Sequence, residues 1–533
     1  MRALLVQARS PSTYWSYDHS LPFLGKAAAL PPLGLATLAA LLPTSWELRL
    51  VDLHVEPLRD CDLAWADAVL VSGMLVQSDS IREVLERARQ MGKRTVVGGP
   101  APTTSPDAFP EADHVFRGEA EGRLEVFFSA FEEEGHGAPR ILSPEEARRP
   151  SLQSSPVPRF DLIDLSRYAS LAVQASRGCP FRCEFCDIIE VFGRVPRLKS
   201  PEQILAELDE IYRLGGRGSL FFVDDNFIGN RREIAKLLPK LAAWQEAHGR
   251  PFDLYTEASL DLADEPALLE GMVAAGFSAV FVGIESPSEA SLRATGKLQN
   301  LRTGPREAVA RLTTAGLEVF AGFIVGFDED DEGIFDQQIA LVENLPIPRA
   351  MVGLLSALPG TALWRRLEQE GRLRRAPSGD QFERPNFEPR IPESRLLAGY
   401  RRVLAALYSD EGYYARCRLY LERVRLGPAG MRRGWLRPLL LALWQIGVLG
   451  ARRGQFWRLL RQGARRGLGG FGQAVALAIL GEHLIRYTQE VVLPRLDRSL
   501  ALLGEAALSL PHPEPASRRA ARSPLLAREM EPS

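Results

Sequence analysis

Short apolar runs alternate with segments of helical periodicity along the first 140 positions. Strand-like runs occur at Ala3–Gln7, Glu47–Leu53, Ala68–Gly73, Arg94–Gly99 and His114–Gly118, and helical spacing occurs at Gly34–Leu42 and Ser80–Met91. Strands that alternate with helices predict a parallel, doubly wound sheet of the α/β class. Ligands of such sheets sit beyond the carboxyl ends of the strands, where glycine lets them approach the backbone. Ser72, Gly73, Gly98, Gly99, Gly118 and Glu119 fall at those ends and are candidate cofactor contacts. Tight strand-to-helix turns use glycine too, so ordinary turn geometry is the competing reading.

Residues 141–165 are rich in Pro, Ser and Arg without periodicity and read as a linker. Beyond it, six further apolar runs at Leu171–Ser176, Ser219–Asp224, Asp253–Ser259, Ala279–Glu285, Glu318–Gly326 and Ala350–Ala357 are separated by helical segments. Six βα units predict a partial barrel over 166–375. One of its helices is sharply punctuated: Ser200 caps it, Pro201 opens it, Gln203 completes a capping box and Gly215-Gly216 end it. Active sites of βα barrels lie at the carboxyl ends of the strands. Asp224, Asp225, Asn226, Glu257 and Glu285 stand there. Capping of the next helix is the alternative role for Asp225 and Asn226.

Cys179, Cys183 and Cys186 follow the first barrel strand in the run Ser176-Arg-Gly-Cys-Pro-Phe-Arg-Cys-Glu-Phe-Cys-Asp187. Three thiolates from one loop can hold three corners of a [4Fe-4S] cube and leave the fourth iron open. A structural zinc site wants four ligands in paired spacing, and the remaining cysteines, Cys61 and Cys417, are isolated.

The CxxxCxxC spacing, with aromatic Phe185 before the last cysteine, resembles the signature of the radical S-adenosylmethionine (SAM) superfamily. The resemblance implies that SAM chelates the open iron and is cleaved to an adenosyl radical. It implies SAM contacts from Phe185, from Asp224, Asp225 and Asn226 in place of the family's Gly-Gly-Glu, from a carboxylate such as Glu257, from Glu285 towards the ribose, and from the strand Gly322-Phe-Ile-Val-Gly326. A Rossmann-like domain ahead of the cysteine barrel looks like the cobalamin-binding class of this superfamily, over roughly residues 1–375. Cobalamin domains that supply a histidine use DxHxxG. Asp52-Leu-His54-Val-Glu-Pro57 lacks the glycine, so His54 reads as a loop residue and cobalamin as held without a protein histidine. Pro22-Phe-Leu-Gly25, Pro31-Pro-Leu-Gly34, Trp65–Met74, Arg182–Ile188, Phe222–Asn230 and Leu358–Trp364 are similar to segments of the hopanoid C-2 methylase branch. That implies methylation of an unactivated carbon of a hydrophobic, lipid-like substrate, with a reductase, flavodoxin or ferredoxin as electron donor. The same cofactors can instead join, cyclise or oxidise carbon without methyl transfer, and a cofactor-binding protein without turnover is a further alternative.

Composition adds bounds. A chain of 533 residues, 46% hydrophobic and 25% charged, is expected to form several domains: 1–140 for cobalamin, the linker, the barrel, a helical 376–509 and a disordered 510–533. Five cysteines do not make a disulfide framework, and the amino terminus has too short an apolar run for a signal peptide, so a cytoplasmic location is expected. A net charge of -2 argues against nucleic acid. Between Cys417 and Gly467, however, Glu422 is the only acid among many arginines, interleaved with Trp435, Trp444 and Trp457. Leu439–Ala451 is too short to span a bilayer, so 430–470 reads either as a helical subdomain packed on the barrel or as a peripheral membrane contact.

Overall fold

The computed structural model describes residues 1–124, 140–142, 149–380, 382–425 and 434–508. The expected tail at 510–533 lies outside the described residues, as do 430–433. The amino-terminal sheet has six strands: β1 (Arg2–Gln7), β2 (Glu47–Asp52), β3 (Ala68–Ser72), β4 (Arg94–Gly98), β5 (His114–Phe116) and β6 (Ile141–Leu142). Their order is β2-β1-β3-β4-β5-β6 and every pairing is parallel. Leu4 and Val6 pack on one face with Ile81 and Leu85, while Ala3 and Leu5 pack on the other with Leu35 and Ala39. A strand covered on both faces must be apolar at every position, which explains the unbroken run.

The segment expected to be a plain linker is partly structural. Ile141 and Leu142 pair with Val115 and Phe116, extending the sheet past residue 140. Further on, Leu152 and Phe160 are buried, so this stretch is packed despite having no periodicity.

The second sheet contains β7 (Leu171–Val173), β10 (Gly218–Phe222), β11 (Phe252–Ala258), β12 (Phe277–Glu285), β13 (Glu318–Val325) and β14 (Arg349–Leu354), all parallel and in sequential order. β7 and β14 are the open edges, as expected for a partial barrel. Along β11, Phe252, Leu254, Thr256 and Ala258 are buried, whereas Tyr255 and Glu257 alternate with them on the other, half-buried face. The run expected to continue to Ser176 breaks after Val173. The chain turns there because the Asp224 carboxylate accepts hydrogen bonds from the Ala175 N–H and the Ser176 hydroxyl. Ser176 and Arg177 form a separate strand, β8, antiparallel to β9 (Arg197–Leu198). The capping box at Ser200 and Gln203 is present as expected.

Helices Glu393–Leu407 and Asp410–Arg423 close the β14 edge. Tyr400 and Tyr408 donate from their hydroxyls to the Val352 and Ala350 carbonyls at 2.9 and 2.6 Å, satisfying edge groups that would otherwise invite another strand. The amino-terminal segment threads onto the later helices. Tyr14 shares a hydrogen bond with Thr488 at 2.6 Å and stacks on Tyr408, and the Tyr487 hydroxyl donates to the Ser12 carbonyl.

Behind the β8–β9 ribbon, Lys199 and Glu207 form an ion pair with both side chains almost wholly buried. Breaking one partner strands a charge, whereas removing both does not. Lys199→Met is expected to cost about 3–5 kcal/mol in denaturant unfolding, and Lys199→Met with Glu207→Leu to recover most of that loss.

Candidate functional site

The carboxyl ends of β3, β4 and β5 open on a cavity of about 290 Å³ whose opposite wall belongs to the barrel. Leu35, Leu38, Leu70 and Phe116 make it apolar, and Gln174, Arg177 and Phe192 close it from the barrel side. Ser72, Gly98, Gly99, Gly118 and Glu119 all line it, so five of the six expected positions meet there. Gly73 stands behind them, where an added Cβ would lie 3.0 Å from Gln77 and Ile81. Gly99 is required by its turn: its φ is +97° and a Cβ would sit 2.6 Å from the Ser72 hydroxyl. Thr103 ties the two glycine turns together, donating to the Gly99 carbonyl at 2.7 Å and accepting from the Gly118 N–H at 2.9 Å.

Glu119 does not present a free carboxylate to the cavity. It takes Arg177 at 2.8 Å and Arg197 at 2.7 Å, while Glu121 takes Arg177 at 2.9 Å. Arg177 and Arg197 stand opposite each other on the β8–β9 ribbon, two side chains gripping one loop of the first sheet. Burial opposes charge on Glu121, but Arg177 outweighs it and holds the carboxyl below its usual range. His54 lies outside this cavity. Its Nδ1 is 2.8 Å from Asp52 Oδ1 and its Nε2 accepts the Ser10 N–H at 2.9 Å, so it fastens its own loop.

The cysteine loop begins two residues after Arg177. Gly178, at φ +98°, turns the chain where a Cβ would meet the Gly193 carbonyl at 2.7 Å. The Gly178 N–H donates to Asp225, and the Cys179 N–H donates to Gly193. The Asn226 amide nitrogen is 3.8 Å from the Cys179 sulfur, and the Gln299 amide nitrogen is 3.8 Å from that of Cys183. Lys297 lies near Cys183 and Cys186, 6.0 Å from the Phe185 ring centroid, and is paired with Glu285 at 2.6 Å. Burial opposes its charge, but Glu285 and the Cys183 sulfur hold the ammonium above its ordinary range. Glu285 ends β12 at a register shift with φ +68°, a strained value for a non-glycine residue.

The expected carboxylates divide by partner. Asp224 and Asp225 hold the backbone of the cysteine loop; burial pushes their carboxyls up to about 7 and about 6. No side-chain partner meets Glu257 among the described residues. Burial first, then Asp225 and Asp224, push its carboxyl up to about 8. Gly322 has a packing reason, because a Cβ there would lie 2.8 Å from the Phe281 ring. Phe185 lines a second cavity of about 450 Å³ with Phe327, Thr295, Leu355 and Arg366. Arg177, Arg197, Lys297 and Gln299 were not singled out from the sequence. Only Arg177, adjacent to the Gly-Cys turn, carried a local cue.

A B12 binding domain model matches residues 27–128, a radical SAM superfamily model matches 173–336, and a domain of unknown function, DUF4070, matches 361–494. An uncharacterized methyltransferase of Synechocystis sp. is 41% identical over 94% of both chains. The hopanoid C-2 methylase of Rhodopseudomonas palustris is 34% identical over 92% of this chain and 94% of its own. The chain belongs to the cobalamin-dependent radical SAM methyltransferases. The fold of this methyltransferase is also that of OxsB, a cobalamin-dependent SAM radical enzyme solved with aqua-cobalamin and SAM, at TM-score 0.57 and 16% identity over 95% of this chain and 83% of that one. TsrM from Kitasatospora setae, a radical SAM methyltransferase, matches at TM-score 0.54 and 17% identity over 76% of this chain and 85% of that one.

The methyltransferase therefore uses a [4Fe-4S] cluster, SAM and cobalamin, and its donor set fits them. Burial raises the Cys179 and Cys186 thiols, so loading iron must displace protons. The loop supplies three thiols and no fourth, which suits three corners of a cube and falls short of the four ligands of a structural zinc. The buried Gln299 Oε1 and Asn300 Oδ1, beside the loop, have no hydrogen-bond partner. The apolar walls of the interdomain cavity, Leu35, Leu38, Leu70 and Phe116, suit the flat face of a corrin.

Arg177→Met leaves two buried carboxylates short of a partner and is expected to cost about 3–5 kcal/mol in denaturant unfolding, with Arg177→Lys intermediate. The Glu121 contribution is complete above the unfolded carboxyl pKa near ~4.3 and is lost as pH falls through the lower folded value. Glu257 has the opposite sign. Its raised pKa means the folded apoprotein binds more protons, so stability falls as pH rises from ~4.3 to about 8. In melts of the apoprotein, Glu257→Gln should remove that decline, gaining on the wild type by at most about 1.4 kcal/mol per pH unit.

Proposed function

We propose that this methyltransferase acts on an unactivated carbon of an apolar, lipid-like substrate of the hopanoid class for which its R. palustris relative is named. One observation carries this reading: the half-buried positions of successive barrel strands are aromatic. Phe221 on β10 stacks on Tyr255 of β11 at 4.6 Å and 8°, and Phe281 on β12 takes the edge of Trp15 from the amino-terminal segment at 5.5 Å. Such a wall offers a flat hydrocarbon broad contact and few hydrogen bonds to satisfy.

When bound, the cluster and SAM supply one-electron chemistry at carbon–hydrogen bonds, and cobalamin supplies a methyl carrier. The protein's residues hold and exclude. Cys179, Cys183 and Cys186 ligate three irons, and Asn226 and Gln299 direct N–H groups at two of the sulfurs. Glu257, the carboxyl without a protein partner, receives the SAM ammonium, a cation that would ionise it. Glu285 with Lys297 meets the ribose hydroxyls or the methionyl carboxylate of SAM, and Phe185 and Phe327 flank its flat base. Ser72, Gly98, Gly99 and Gly118 let cobalamin lie against strand ends, while Glu119 positions the domain. An external one-electron donor and a substrate are required by the superfamily's chemistry.

Anaerobically reconstituted enzyme with SAM labelled in its methyl group, cobalamin and a reductant is expected to form 5'-deoxyadenosine and to label the lipid fraction of a hopanoid-containing extract. Cys183→Ala should lower both by at least about 1,000-fold, since the open iron is lost. Deoxyadenosine without labelled lipid would replace methylation with cyclisation or oxidation. Label confined to water-soluble products would overturn the substrate class.

A further inference from the structure

We propose that helices Leu436–Val448 and Arg453–Ala464 form a face that docks flat on an anionic lipid bilayer. This goes beyond the substrate assignment and does not depend on it. Along the first helix, Leu436, Leu440, Trp444 and Val448 recur every four residues and are 56%, 62%, 58% and 49% exposed; Leu449 adds 64%. Ala442 and Ile446, on the opposite side, and Gly447, flanking the stripe, are buried. A helix that faces water with leucine and tryptophan while its other side is already packed has an unfilled partner position.

Charge identifies the partner. On the second helix and just beyond it, Arg453, Arg458, Arg461 and Arg465 are exposed. None has an acidic partner among the described residues. Trp457 joins the two rows: its indole N–H donates to the Gly447 carbonyl of the first helix at 3.0 Å while its ring remains 38% exposed between Arg453 and Arg461. Apolar stripe, tryptophan and unpaired arginine side by side match the layers of a bilayer surface, with acyl chains, interface and phosphate in that order. A second copy of the chain would set arginine against arginine, and a nucleic acid would leave the leucines uncovered.

The face leads towards the barrel. Arg437 donates to the Pro22 carbonyl at 3.4 Å, and beside it Leu24 is 41% exposed. That same amino-terminal segment carries Trp15 onto Phe281 of the barrel wall. The helical run Gly467–Gly504 is apolar enough by length and composition to cross a membrane, but its most apolar stretch is 56% buried against the rest of the protein. The geometry is therefore that of lying on a bilayer.

The test is flotation of the full chain with vesicles of phosphatidylcholine containing roughly one-third phosphatidylglycerol, against phosphatidylcholine alone. The anionic vesicles should recover at least about tenfold more protein, less so at high salt. Leu440→Glu with Trp444→Glu should remove flotation by about tenfold or more at an unchanged melting temperature. Arg453→Glu with Arg461→Glu, on exposed positions, should do the same and keeps the test decisive if the apolar pair alters folding. Equal recovery on both vesicles, or wild-type flotation of the arginine pair, overturns the proposal. So does a self-associated species that the apolar pair dissociates while vesicles are ignored. Binding of a duplex oligonucleotide that survives the apolar substitutions, without flotation, also overturns it. Failure here leaves the methylation reading intact, because neither pair touches the cofactor cavities.

Discussion

Two arginines on a four-residue ribbon hold this enzyme's two halves in register. Arg177 and Arg197 converge on Glu119 and Glu121 at 2.7–2.9 Å, with the glutamates nearly inaccessible. A buried ion pair adds little net stability over an apolar substitute, yet it is costly to break and demanding in direction. Direction is what matters here. The glutamates close the glycine-lined cavity and Arg177 stands two residues before Cys179, so the grip sets the distance between the methyl carrier's domain and the iron site.

The ribbon exists because of a second buried group. Asp224 binds the backbone and hydroxyl that follow β7, ending that strand early and turning the chain into β8. Asp225 then takes the Gly178 N–H and Asn226 points an amide at Cys179. Three consecutive residues thus shape the loop that carries the cysteines. Of the carboxylates expected at the strand ends, Glu257 is left without a side-chain partner among the described residues, in a neighbourhood of raised carboxyls, an environment that favours a cationic ligand.

The carboxyl-terminal helices do more than cover an edge. Tyr400 and Tyr408 satisfy β14 carbonyls, Tyr487 and Thr488 hold the amino-terminal segment, and that segment places Trp15 on the barrel wall. One face of the assembly contacts the aromatic interior and another exposes leucine and tryptophan beside arginine.

The sequence alone determined the fold class, the order of its layers and the cysteine triad, because these depend on local periodicity and short spacing. Continuous apolar runs mark strands buried on both sides, and CxxxCxxC confines three thiols to one short loop. Ser72, Gly98, Gly99 and Gly118 were legible as strand ends for the same reason. The partners of Glu119, the spent state of Asp224, the pairing of Lys297 with Glu285 and the break after Val173 were not legible. Each joins residues 12 to 78 positions apart or turns on a hydrogen bond to backbone, and no periodicity encodes that. Tertiary structure alone decided which of these carboxylates are paired within the protein and which is not, since burial and pairing belong to the packed chain and not to residue type.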